Sequence, residues 1–192
     1  MNNYEYIIAS LPVIRPEDRT DIGADSVIDG IRECLDAGDA DLFDFVLGYY
    51  LPEGPSREFY ESAFKSGNAF VRDYFRFDVN VRNSKVNYLN GELGRPQGQD
   101  VLDLGDGEYD ELDEVMQVLS GTDILERERG LDLIMWGKAE DLVRMHLFDM
   151  DVIISFVVRL KIIDRWLRLD PESGRAMFER LVEEISKSKK VF

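Results

Sequence analysis

The chain has 192 residues, 44% hydrophobic and 11% aromatic, enough for one domain with a proper core or two small helical lobes and too apolar for a disordered chain. Acids outnumber bases 39 to 23, leaving a net charge of −16. That balance argues against a nucleic-acid backbone or an anionic membrane surface as direct partner and favours a basic protein surface.

Tyr4, Tyr6 and Ile8 alternate with other residues before Pro12, a pattern that predicts a short strand, with 101–104 as the one available partner. From residue 26 the punctuation favours helices. Ser26 is placed to cap a helix carrying Val27, Ile31, Cys34 and Leu35, closed by Gly38. Cys34 cannot form an internal disulfide, which fits a reducing compartment, and it reads as a small core residue. Asp39 is placed to cap a second helix with Leu42, Phe43, Phe45, Val46 and Tyr49, stopped before Pro52. Ser56 opens a third with Phe59, Tyr60, Ala63 and Phe64.

Asn68 then caps a long helix that Gly94 ends. At about 100° per residue, Phe70, Val71, Tyr74, Phe77, Val81, Tyr88 and Leu89 share one arc. Arg72, Asp73, Arg76, Asn80, Asn83 and Asn87 make up the opposite, solvated face. Asp78 and Arg82 fall inside the apolar arc, four residues apart, and are expected to touch as a pair that orients helix packing or meets a partner.

Residues 95–108 break the rhythm with a proline and glycines among acids, the best candidate for a boundary or mobile loop between lobes 1–94 and 109–192. Leu112, Val115, Met116 and Leu119 resume helical spacing, and Asp123 with Glu126 reads as a capping box. Past Asp151 the next helix is apolar all round, which predicts a central position, before it turns basic at Arg159, Lys161, Arg165 and Arg168. Asp170-Pro171 starts a last helix with Phe178, Leu181, Val182 and Ile185 inward.

Catalytic signals are sparse. A zinc site needs several His or Cys ligands, and His146 and Cys34 are the single examples of each. The acids from Asp100 to Glu114 lack the alternating template of a calcium loop, and Gly105-Asp106-Gly107 lacks the strand and basic residue of a phosphate loop. The expectation is no enzyme activity, no cofactor and no metal. The longest apolar run, 152–158, is far shorter than the ~18 residues needed to cross a bilayer, and no basic leader opens the chain.

The run RFDVNVRN, residues 76–83, resembles the acidic–x–x–x–Arg–Asn helix of the V/A-type ATPase central-stalk socket, the helical protein seated between the membrane rotor ring and the axle. In that family the pattern recurs in three helical repeats. Residues 148–182 look like a second instance: a slide of 83 positions superposes Arg76 on Arg159, Phe77 on Leu160, Val79 on Ile162 and Arg82 on Arg165. The departures are Asp78 against Lys161 and Asn83 against Trp166. The opening YEYIIASLP is similar to that of an uncharacterised bacterial family associated with V-type ATP synthases.

The residues predict a mainly α fold, a bundle of antiparallel helical hairpins around a long central helix with one short N-terminal strand. The resemblance implies a non-catalytic subunit or assembly and coupling factor of a proton- or sodium-transporting V/A-type ATPase, cytoplasmic and peripheral at the inner membrane through the complex. Its partners would be axle and membrane rotor components. On that reading Asp78, Arg82 and Asn83 serve helix packing or partner contact, and Arg159, Arg165 and Arg168 form a docking ridge. The alternatives are a general helical adaptor unrelated to ATPases and a small metal-dependent enzyme.

Overall fold

The computed structural model describes residues 3–18, 22–105 and 109–168, and among these it has eight α-helices and no strand. They are α1 (Tyr4–Ser10), α2 (Ala24–Cys34), α3 (Ala37–Gly48), α4 (Arg57–Phe64), α5 (Ala69–Glu92), α6 (Leu112–Leu119), α7 (Ile124–Asp141) and α8 (Met150–Arg168). The expectations for residues 106–108 and for a helix after Asp170 lie outside the described residues. No described helix is long and apolar enough to cross a membrane.

The predicted N-terminal strand is a helix. Tyr4, Ile7, Ile8 and Leu11 recur at helical spacing and face the main core, while Tyr6, which alternation would have placed beside Tyr4, is 62% exposed. The Tyr4 hydroxyl donates to Asp39 Oδ2 at 2.6 Å and so ties α1 to α3. Two caps also move. Helix α2 starts at Ala24, after Gly23 in a left-handed conformation, and ends at Cys34 rather than Gly38. Asp36, not Asp39, caps α3 by accepting from the Asp39 amide at 3.1 Å. Cys34 is exposed, because the buried arc of α2 runs through Ala24, Ile28 and Ile31 and residue 34 lies about 240° round from Ile28. Ser56, Asn68 and Asp123 cap α4, α5 and α7 as their sequence positions predict.

Helices α4 and α5 form one hairpin and α7 and α8 another; α6 leans on both α5 and α7. The core has two parts, and α5 and α7 contribute to both. The larger gathers α1–α5, Ala139 of α7, and α8, whose residues Ile153, Ile154, Val157 and Val158 are fully buried. The smaller holds Phe77, Val81, Val115, Leu119, Leu131 and Ile134 from α5, α6 and α7. The all-apolar start of α8 therefore sits at the centre, touching α1, α2, α3, α5 and α7.

Helix α5 is buried almost all round at its middle, where Phe77, Asp78, Val79, Asn80 and Val81 are each buried. The expected solvated face is thus interrupted, for a physical reason: the segment after α5 folds back along it. Asn83 donates from Nδ2 to the Leu102 carbonyl at 2.7 Å and accepts from the Leu102 amide at 3.0 Å. Asn90 donates to the Gln99 carbonyl at 2.7 Å, and Asn87 accepts from the Gly98 amide at 3.1 Å. These three asparagines, two of them expected on the solvated face, clamp the segment. Gly105 closes it, since a Cβ there would collide with the Asn80 side chain and press on Asn83. Leu89, predicted inward, is 40% exposed.

Candidate functional site

Asp78 is buried in the middle of α5, a position that demands hydrogen bonds for its carboxylate. It does not pair with Arg82. The Tyr49 hydroxyl donates to Oδ1 at 2.8 Å and the Tyr60 hydroxyl donates to Oδ2 at 2.6 Å, so both oxygens are held by phenols from the end of α3 and from α4. Helix phase puts Asp78 and Arg82 on one side, but two tyrosines from other helices hold the carboxylate instead. Burial raises the Asp78 pKa, against the lowering effects of Tyr60, Tyr49 and Arg82. Burial, then the Asp78 charge, pushes both phenols above the ordinary tyrosine range, so both stay donors.

Above this carboxylate α5, α7 and α8 enclose a cleft of about 510 Å³. Its polar rim carries Arg82 and Lys85 from α5, Glu128 and Asp132 from α7, and Arg165 and Arg168 from α8. Lys85 is paired with Glu128 and Arg165 with Asp132, whose Oδ2 also accepts from Trp166 Nε1. Arg168 pairs with Asp164 at 2.9 Å and with Asp25 at 3.2 Å, and Lys161 reaches Asp25 at 3.7 Å. Arg82 differs. Its Nη1 is buried with no hydrogen-bond partner among the described residues, a condition shared there only by Arg127 Nε, away from the cleft.

The predicted basic ridge is matched from within. Arg159 lies over the Trp136 ring at 5.3 Å, donates to Glu140 at 2.8 Å, and has only 17% of its side chain exposed. Arg165 and Arg168 keep 49% and 63% exposure while holding their internal acids. The structure brings Arg82, Arg165 and Arg168 to one cleft, leaves Arg159 on the α7 side, and commits Asn83 to the 95–105 segment. His146 is exposed, 2.6 Å from Asp149, and does not line the cleft. No group of three or more His, Cys, Asp or Glu side chains among the described residues could hold a metal.

Tyr49, Tyr60 and Asp132 were absent from the sequence-predicted site. The signal for the first two was available: a phenol on an apolar helix face needs a polar partner when buried. Asp132 was marked only by its place on the inner side of α7, between Leu131 and Ile134.

A family model described as a protein of unknown function (DUF2764) matches residues 93–189. The chain belongs to this family. The DUF2764 match begins at the end of α5 and takes in α6, α7 and α8, so Asp132, Arg165 and Arg168 lie inside it and Asp78 and Arg82 precede it. No curated protein and no solved structure matches the chain.

Proposed function

We propose that this chain is a non-catalytic helical subunit, or an assembly and coupling factor, of a V/A-type ATPase, similar to the central-stalk socket and acting through protein contacts. One observation supports the reading above the others: the two helices related by the 83-residue slide, α5 and α8, pack together and present Arg82 and Arg165 to the same cleft. The likeness extends to their neighbours. Arg76 stacks over Phe64 of the preceding helix at 5.5 Å, and Arg159 stacks over Trp136 of its preceding helix at 5.3 Å. Asn68 and Asp151, themselves 83 positions apart, are hydrogen-bonded where the two helices begin. Two helices with matched cations on one cleft suit a protein that grips a partner segment.

The test is recovery of the tagged full chain from its native cells with its partners identified by mass spectrometry. Axle or rotor-side ATPase subunits are the expected partners, and a recovery without any ATPase subunit overturns the reading. A general adaptor is the second reading, favoured by the loop between α7 and α8, where Met145, Leu147 and Phe148 are 90%, 74% and 53% exposed. Under that reading partners are still recovered, but none belongs to an ATPase.

A further inference from the structure

We propose that the cleft between α5, α7 and α8 binds a carboxylate carried on an apolar body, with Arg82 as its anchor. The inference goes beyond the ATPase reading and stands without it. Four of the five cations at the cleft already have acids: Lys85 with Glu128, Lys161 with Asp25, Arg165 with Asp132, and Arg168 with Asp164. Among the described residues Arg82 has none, and the acid one turn away, Asp78, has given both oxygens to Tyr60 and Tyr49. A buried guanidinium N–H without an acceptor is unfavourable, and a planar carboxylate fits its fork with two parallel hydrogen bonds.

The acids around Arg82 select carboxylate over phosphate. Among the described residues Arg82 is the one cation of the cleft that no acid holds in a salt bridge, so one singly charged carboxylate supplies the partner it lacks. A dianion would bring surplus charge close to Asp78, Glu128, Asp132 and Asp164. The walls select the body of the ligand. Tyr50, Val81, Leu131, Met135 and Ile162 line the cleft between the charged groups, and its volume is in the range of small-ligand pockets. A free aryl or alkyl acid and a Glu or Asp side chain flanked by apolar residues of a partner share this chemistry.

The experiment is isothermal titration of the full chain with phenylacetate, phenylacetamide and inorganic phosphate, and with a short Leu- and Phe-containing peptide bearing one Glu, against its Gln analogue. Phenylacetate should bind in the millimolar range or tighter, at least about tenfold more tightly than phenylacetamide or phosphate. Arg82→Gln should lose that preference and Arg82→Lys should keep part of it. Ile162→Trp, which fills the cleft and leaves Arg82 in place, should abolish binding, and it carries the test if Arg82→Gln does not fold. A Glu peptide that outcompetes phenylacetate identifies a protein side chain as the source; a Glu peptide no better than its Gln analogue, beside tight phenylacetate, identifies a free acid. Equal binding of acid and amide, a preference for phosphate, unchanged binding in Ile162→Trp, or no saturable binding of either carboxylate would overturn the proposal.

Discussion

Asp78 shows how one buried acid organises three helices. Its oxygens draw the ends of α3 and α4 onto α5 through the Tyr49 and Tyr60 hydroxyls. Asp78→Ala leaves two phenols without an acceptor, and at about 1–3 kcal/mol for each buried donor the loss should be roughly 2–6 kcal/mol. Asp73→Ala, on the exposed side of the same helix, should change stability by no more than about 0.5 kcal/mol. Urea melts of the two variants measure the difference, and equal small losses would refute the buried position. The same residue predicts a pH effect. The folded protein holds the Asp78 proton to higher pH than the unfolded chain, whose aspartates titrate near 3.9. Above that value the unfolded state binds fewer protons, so this group's contribution to stability falls as pH rises through the folded pKa. Asp78→Asn removes the effect. The stability of the variant minus that of the wild type should therefore be flat at the acid end and climb with pH, as read from melts at a series of pH values.

At the scale of the element, the segment after α5 is fastened by side chains of the helix it follows. Its proline, glycines and acids read as mobility, yet Asn83, Asn87 and Asn90 bond its backbone at Leu102, Gly98 and Gln99. Three asparagines at spacings of four and three lie along one stripe of a helix, and their amides supply the donors and acceptors that an irregular, turn-rich stretch cannot find by itself. Asn83→Ala removes both bonds to Leu102, one donated and one accepted, at a cost of roughly 1–3 kcal/mol. Limited proteolysis should then cut the variant faster than the wild type within 95–105. Unchanged cleavage would mean that Leu102 and Leu104, packed against the core, hold the segment without the amide clamp.

At the scale of the molecule, the charges of α8 serve two purposes that substitution can separate. Arg165 is half exposed, but its partner Asp132 keeps only 11% of its side chain in solvent. Arg165→Glu puts two acids together at the edge of the core and should cost about 2 kcal/mol or more in stability. Arg168 is 63% exposed, and its bonds to Asp164 and Asp25 are surface pairs of little energetic consequence. Arg168→Glu should therefore melt close to the wild type. If the chain is an ATPase subunit whose α8 meets an acidic partner, that variant should nevertheless recover fewer ATPase subunits at low salt, with the difference shrinking as salt screens the attraction over about 10 Å at 0.1 M. Undiminished recovery by Arg168→Glu would remove Arg168 from the docking surface while leaving the fold untouched.

The amino-acid sequence by itself determined the helical class, the caps at Ser56, Asn68 and Asp123, the inward arc of α5 through Phe77 and Val81, and the central place of α8. These follow from local rules: a capping side chain reaches an amide two or three residues on, and apolar residues at 3.6-residue spacing seek a core. Tertiary structure decided the rest. Tyr4, Tyr6 and Ile8 suit a strand or a helix over so short a stretch, and burial of Ile7 against the core chose the helix. Helix phase put Asp78 beside Arg82, but which group satisfies a buried carboxylate depends on what other helices bring to it, and Tyr49 and Tyr60 lie 29 and 18 positions away. The same holds for the cleft: Arg82 and Arg165 belong to helices 83 positions apart in register, and only their packing leaves one arginine matched and the other without a partner among the described residues.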